Sequence, residues 1–206
     1  MQDISALRKD QLDALRELGN IGSGNAATAL AQFLNRKIDM DVPEAKILPL
    51  QDIPMLVGGP ETQVLGIFLR VMGNISGRFL LLIPDSTAIK LLNALMPGFP
   101  VCSTMLTMGE MESSCMREVG NILAGAFLNA LSVITRTPML NSLPSLSFNM
   151  AGALLSVVVT EMAAVSDHVL MIETSFKDAQ ENLKIHIFLL PDPTSLETLL
   201  DSLGVK

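Results

Sequence analysis

An internal repeat constrains this sequence more than any other feature. The segment Asp-Ala-Leu-Arg-Glu-Leu-Gly-Asn-Ile-Gly-Ser-Gly at 13–24 returns at 114–125 as Ser-Cys-Met-Arg-Glu-Val-Gly-Asn-Ile-Leu-Ala-Gly, 101 positions later. The same register relates Pro43 to Pro144. The repeat therefore predicts two related halves, about 1–103 and 104–206. Identical residues occupy six paired positions: Arg16/Arg117, Glu17/Glu118, Gly19/Gly120, Asn20/Asn121, Ile21/Ile122 and Gly24/Gly125.

The repeated residues are polar and share one side of a helix. Each helical residue advances by about 100°, which places the members of each set within a narrow angular range. A helix shaped by burial alone repeats apolar residues on such a line, whereas this one repeats a carboxylate, an amide and a glycine. The pattern indicates a surface that contacts a partner. The first stripe is Asp13, Glu17, Asn20 and Gly24, and the second stripe is Ser114, Glu118, Asn121 and Gly125.

A simpler interpretation of one stripe is an ordinary solvated helix surface. Glycines inside helices also mark close packing or a kink. However, glycine costs about 1 kcal/mol relative to alanine in a helix, so stability gives no reason to keep it twice in register. The duplication of the whole set favours the functional interpretation.

Composition limits the classes of protein that fit. At 206 residues and 49% hydrophobic content the chain can bury a sizeable core. The sequence contains no run of eighteen apolar residues, so no membrane-spanning helix is predicted. Residues 1–10 are too polar for a signal peptide. The two cysteines form neither a disulfide framework nor a metal-binding motif. A net charge of −7 argues against nucleic acid as a partner. We expect a cytoplasmic protein.

The sequence predicts helix, strands and helix in the first half. The Gly22-Ser23-Gly24 cluster leaves open whether the long first helix is bent or split. Gly73-Asn74 is a turn signal between two apolar runs, which predicts a hairpin. The predicted elements are a helix at 5–34, a strand at 47–50, hairpin strands at 64–72 and 76–83, and a helix from Pro84-Asp85-Ser86 to Leu95.

The second half repeats this order. Thr107 and Glu110 have the spacing of a capping box and predict the start of a helix that reaches about Thr135. The valine-rich segment 153–162 is typical of a strand. The remaining predicted elements are a strand at 146–150, hairpin strands at 168–176 and 183–190, and a helix from Pro191 to Gly204.

These elements predict an α+β fold in a single domain. We expect the two halves to pair their strands into one shared, largely antiparallel sheet with pseudo-two-fold symmetry, since a half-chain sheet would leave an open edge. The long helices that carry the stripes would cover this sheet. Two strand-to-helix corners, Leu80–Thr87 and Ile187–Thr194, support the duplication.

The repeated pattern resembles a known family. Asp/Ser-x3-Glu-x2-Asn-x22-Pro, present at Asp13/Glu17/Asn20/Pro43 and again at Ser114/Glu118/Asn121/Pro144, is similar to the motif of the CheC/CheX/FliY chemotaxis phosphatases. The likeness covers nearly the whole chain, and two complete motifs in a short chain resemble the CheC branch. The resemblance implies dephosphorylation of the response regulator CheY, whose phosphate is carried on an aspartate.

The resemblance also implies roles for the stripes. Asn20 and Asn121 would orient the attacking water, because an amide can hold a water but cannot act as a base. Glu17 and Glu118 would dock the regulator through an ion pair. Magnesium is expected on the phosphorylated regulator, and no cofactor or metal of this chain's own is implied. The remaining stripe residues, Asp13, Gly24, Ser114 and Gly125, are predicted docking positions.

Other interpretations weigh less or stay open. One alternative is a binding module of the chemotaxis or flagellar-switch system that docks a regulator without hydrolysis. The resemblance further implies the receptor deamidase CheD as a partner, although some relatives carry an acid where this chain has Asn149. The glycines at 19, 22 and 24 lack the order and preceding strand of a phosphate loop. His168 and His186 are interpreted as histidines of the sheet.

Overall fold

The computed structural model describes residues 7–41, 44–49, 52–163, 168–178 and 184–205. Pro43, Leu50 and the predicted ends of two elements at Ser5 and Leu183 lie outside these residues. A short 3₁₀ helix spans Met105–Thr107. The other elements, in chain order, are α1 (Lys9–Leu34), β1 (Ile38–Met40), β2 (Glu44–Pro49), α2 (Ile53–Leu56), β3 (Gln63–Gly73), β4 (Gly77–Pro84), α3 (Asp85–Leu95), α4 (Glu110–Thr135), β5 (Met139–Asn141), β6 (Ser145–Met150), α5 (Ala151–Ala163), β7 (His168–Asp178), β8 (Ile185–Pro191) and α6 (Pro193–Ser202).

One eight-stranded sheet contains strands from both halves. Its order is β1-β7-β8-β4-β3-β5, with β2 also paired to β7 and β6 also paired to β3. All these pairings are antiparallel. The short strands of each half thus pair with a long strand of the other, and β4 meets β8 in the middle. The predicted α+β class with a shared antiparallel sheet is confirmed, while the pseudo-symmetry and the count of one domain stay predictions.

Both faces of the central strands are buried. Phe79, Leu81 and Ile83 of β4 join the core under α1, α3, α4 and α6. Leu80 and Leu82, which point to the other face, join a smaller core with residues of α2 and α5. Because successive strand residues alternate between faces, a strand covered on both sides is apolar without interruption. This explains the continuous apolar runs at Phe79–Ile83 of β4 and Ile187–Leu190 of β8.

The two long helices, α1 and α4, match in length and in the conformation of the residue that follows each C-terminus. Each has 26 residues and is followed by a residue in the left-handed conformation, Asn35 at φ 50° and Arg136 at φ 51°. They pack against each other near Gly22, where an added Cβ would lie 2.7 Å from Leu131 Cδ1 and 2.9 Å from the Phe127 ring. α1 runs unbroken through Gly22-Ser23-Gly24, so the cluster does not split the helix.

The predicted strand at 153–162 is wrong, because this segment lies in helix α5. Leu154, Leu155 and Val158 are buried while Ser156 and Val157 are exposed, which is a helical pattern. The buried side chains pack on the second face of the sheet. Burial on that face therefore outweighs the β preference of the valines.

The predicted capping box at Thr107 and Glu110 is also wrong. Thr107 ends the 3₁₀ helix, and α4 begins at Glu110 after Gly109. The Glu112 carboxylate accepts hydrogen bonds from Gly109 N–H at 2.6 Å and from Cys102 N–H at 2.5 Å. The glutamate half of a capping box therefore lies two residues later than the sequence spacing predicted, and Gly109 has no side chain to supply the other half.

Helix α4 is the one described helix that is long and apolar enough to cross a membrane. Core helices of water-soluble proteins pass the same test of length and composition. Met116, Leu123 and Phe127 of α4 lie in the main core, which accounts for its apolar composition.

Candidate active site

The first stripe lies on the outer side of α1. Asp13, Glu17 and Asn20 are exposed, and Gly24 is partly exposed. Leu15, Leu18 and the other buried residues of α1 point to the sheet, which leaves the stripe facing outward. The first set of predicted site residues is therefore brought together on one accessible helix surface.

The second stripe repeats this arrangement on α4. Ser114, Glu118 and Asn121 are exposed, and Gly125 is partly exposed. No hydrogen bond or ion pair among the described residues joins a residue of one stripe to a residue of the other. The structure therefore brings the residues together as two sets of four.

The glycines of the long helices divide into two kinds. A Cβ added at Gly24 or Gly125 would meet nothing within 4 Å, so both stripe glycines lie under open space. A Cβ at Gly120, in contrast, would lie 2.6 Å from Ile67 Cγ2 of β3. Close packing thus explains Gly22 and Gly120, but it does not explain the two stripe glycines.

The two stripes differ in their neighbours. The Arg16 guanidinium donates to the Asp13 carboxylate at 3.0 Å on the surface of α1. Ser114 stands at the matching position of the second stripe and has no carboxylate to pair with Arg117. Asn121 Oδ1 accepts a hydrogen bond at 3.0 Å from Nδ2 of Asn141 in β5. The Asn20 side chain has no hydrogen-bond partner among the described residues.

Neither stripe contains an activated nucleophile or a set of side chains that could bind a metal ion. Within the described residues no group of three His, Cys, Asp or Glu side chains could hold a metal ion. Cys115, beside the second stripe, is partly buried, and burial followed by the negative charge of Glu118 raises the pKa of its thiol. A thiol with a raised pKa is a weak nucleophile at neutral pH. The chemistry that the stripes offer is a carboxylate and an amide presented to a partner.

Sequence analysis missed Asn141 as a neighbour of the second stripe. The matching residue of the first half is Met40, so the repeat that identified the stripes gave no signal here.

Of the two histidines, His186 is buried in β8 and its ring stacks on Phe188 with centroids 6.2 Å apart, as interpreted. The side chain of His168 lies outside the described residues.

Comparison with known proteins places the chain among chemotaxis and flagellar proteins. A sequence model of the CheC-like family matches residues 11–47. The chain is 39% identical over 210 residues to the CheY-P phosphatase CheC of Bacillus subtilis (strain 168), across 100% of both proteins. It is 30% identical over 132 residues to the flagellar motor switch phosphatase FliY of that organism, across 64% of this chain and 34% of that protein. The structure of Thermotoga maritima FliY shares the fold, with a TM-score of 0.74 and 18% identity across 97% of this chain and 98% of that one.

Proposed function

The chain belongs to the CheC-like family, and from this premise we propose that it dephosphorylates a phosphorylated CheY-type response regulator in the cytoplasm. The observation that carries the proposal is the pair of outward stripes, each with a carboxylate, an amide and an open glycine. The full-length relative with 39% identity is a CheY-P phosphatase, which supports the same substrate here.

The proposed reaction needs little covalent chemistry from this chain. A phosphoryl group on an aspartate is an acyl phosphate, which is already activated toward attack by water. Its hydrolysis requires a water in line with the scissile bond and stabilisation of charge on the phosphoryl oxygens. The absence of an activated nucleophile among the described residues of both stripes fits this requirement.

Each stripe residue has a proposed part in this reaction. The amide of Asn20 or Asn121 enters the regulator's phosphorylation site, and its carbonyl oxygen accepts a hydrogen bond from the attacking water. Glu17 or Glu118, one turn earlier on the same helix, pairs with a cation of the regulator and sets the depth of insertion. The open surface over Gly24 or Gly125 leaves room for the regulator's backbone. We infer that two regulators can be served, one by each stripe.

A binding module of the chemotaxis or flagellar-switch system is the second candidate. It is favoured by the exposed stripes on two long helices, which suit docking without hydrolysis equally well. The similarity to a flagellar motor switch phosphatase supports the switch setting alone. Such a module binds the phosphorylated regulator through both stripes and leaves its rate of phosphate loss unchanged.

The receptor deamidase CheD remains a second proposed partner, testable by co-elution of the two proteins.

Phosphate release from a phosphorylated CheY-type regulator separates these candidates. The rate is measured for the regulator alone, with the wild-type protein, and with the Asn20→Ala/Asn121→Ala double variant. We expect faster release with the wild type and the regulator's own decay with the double variant. Asn25→Ala is the matched control, since Asn25 is exposed on α1 but lies about 100° from the stripe. Binding without acceleration would support the module instead.

The proposal also assigns the metal to the regulator. We expect stimulation only while the regulator retains its own magnesium, because the stripes supply orientation and no Lewis acid. The test repeats the measurement after divalent ions are chelated and then restored. Undiminished stimulation without magnesium would contradict insertion of an amide into the regulator's phosphorylation site.

A further inference from the structure

Asn141 makes two hydrogen bonds with one nitrogen. Its Nδ2 donates to Asn121 Oδ1 at 3.0 Å and to the backbone carbonyl oxygen of Ser142 at 3.2 Å. Asn141 ends strand β5 and is partly buried, whereas Asn121 is exposed on α4. A residue of the sheet thus reaches the amide of the second stripe.

The carbonyl of Ser142 fixes which way both amides point. A backbone carbonyl oxygen can only accept, so the Asn141 atom that faces it must be the nitrogen. The same nitrogen faces Asn121, which therefore presents its oxygen to Asn141. The orientation of both carboxamides follows from these partners, although oxygen and nitrogen of an amide have nearly the same shape.

This contact orients Asn121 without using up its oxygen. A carbonyl oxygen carries two lone pairs, and Asn141 occupies one of them. The other lone pair can accept a hydrogen bond from water, and the Asn121 amino group is left for the regulator. Holding a side chain in its working rotamer before binding removes an entropic cost of reaching the reactive geometry.

The first stripe lacks this support. Met40 holds the matching place, the last residue of the three-residue strand β1, and a thioether is only a weak hydrogen-bond acceptor. The surroundings otherwise correspond, because each strand follows a 26-residue helix and a left-handed residue. The two amides are thus set in similar scaffolds and differ in whether a neighbour holds them.

We propose that Asn141 is a positioning residue that pre-orients Asn121, so that the second site turns over faster than the first. This inference rests on the proposed phosphatase function. Its expected size is about two- to tenfold in kcat, the range that one net hydrogen bond supplies. KM should change little, because the docking groups of the stripe are untouched.

The test isolates each site in turn. In an Asn20→Ala background only the second site works, and Asn141→Met should lower kcat about two- to tenfold with an unchanged KM. In an Asn121→Ala background only the first site works, and Met40→Asn should raise its kcat. Leu140→Met, at an exposed neighbour on β5, is the control and should change neither constant. Nuclear magnetic resonance of the Asn121 side-chain amide should show greater mobility after Asn141→Met.

The outcomes distinguish this inference from the proposed function. Loss of stimulation in the Asn20→Ala/Asn121→Ala double variant, together with unchanged kcat and amide mobility after Asn141→Met, would overturn the positioning role alone. A higher kcat after Asn141→Met would also overturn it, since the bond would then be restraining the amide. Stimulation that survives the double variant would instead overturn the function on which the inference rests.

Discussion

The two stripes present the same outward groups in different surroundings. Glutamate, asparagine and glycine recur at matching positions of α1 and α4, whereas the residues beside them differ. Asp13 pairs with Arg16 in the first stripe, and Asn121 is held by Asn141 in the second. The groups that would meet a partner are therefore constant, and those that tune them are not. From this difference we expect two sites with one chemistry and unequal rates.

Reversing the charge of the stripe glutamate should have the largest effect among the changes that leave both stripe asparagines' surroundings intact. In an Asn121→Ala background Glu17→Lys should raise KM at least about tenfold, because charged hydrogen bonds contribute more than neutral ones. Glu118→Lys in an Asn20→Ala background should do the same. The measurement is phosphate release against regulator concentration. Glu61→Lys, the same charge change in an exposed loop before β3, is the control. An equal rise in KM for the control and the stripe variants would show that the effect comes from the change in net charge and not from the position of the glutamate.

Alanine at Gly22 and at Gly24 should act in opposite directions on stability. Gly22→Ala crowds Phe127 and Leu131 and should lower the free energy of unfolding by about 1–3 kcal/mol. Gly24→Ala meets no atom and should raise it by up to about 1 kcal/mol. Only Gly24→Ala should weaken binding of the regulator to the first stripe. Chemical denaturation and titration with the regulator check both. A destabilising Gly24→Ala would show that this glycine is needed for packing.

The N-terminal caps of α1 and α4 give the smallest predicted difference, which concerns the pH dependence of stability. Gln11 accepts a hydrogen bond from Arg8 N–H at 3.0 Å at the start of α1, where α4 has the charged Glu112. Hydrogen bonds from Gly109 N–H and then Cys102 N–H lower the Glu112 pKa below its ordinary 4.5. Its stabilisation is therefore present above pH 4.5 and lost as pH falls through the folded-state pKa. Glu112→Gln should cost about 1 kcal/mol at neutral pH and flatten the fall in stability on acidification.

Thermal unfolding from pH 7 down to pH 3 measures this difference. Gln11→Ala, which removes the uncharged acceptor of the first helix, should lower stability by a similar amount at every pH. An acid-induced loss of the same steepness in wild type and Glu112→Gln would contradict the assignment to Glu112.

Sequence alone predicted the elements on which the repeat and the local signals agree. The long helices, the hairpin around Gly73-Asn74 and the shared sheet were predicted because turn chemistry, periodicity and duplication agree. The positions of the stripes on exposed helix surfaces followed from the same spacing. The repeat also explains why the outward groups could be identified without any structure.

The errors occurred where tertiary packing decides the outcome. Helix α5 was predicted as a strand because Val157 and Val158 favour strands, and burial against the second face of the sheet was invisible in the sequence. Asn141 was missed because its hydrogen bond to Asn121 joins β5 to α4, a contact that helix or strand periodicity does not indicate. The matching residue of the first half is Met40, so the repeat gave no signal either. The cap at Glu112 depends on Cys102 and Gly109 lying beside it, which spacing alone does not show.

Additivity of single variants tests the central claim of two independent sites most directly. Phosphate release is measured with wild type, Asn20→Ala, Asn121→Ala and the double variant. Each single change should reduce its own site about 100-fold, as misplacement of a reacting group does, and leave the other site intact. The two single-variant rates should then add up to roughly the wild-type rate, with the greater loss in Asn121→Ala. If either single variant alone fell to the regulator's own decay, the stripes would be one composite site and the account would be wrong.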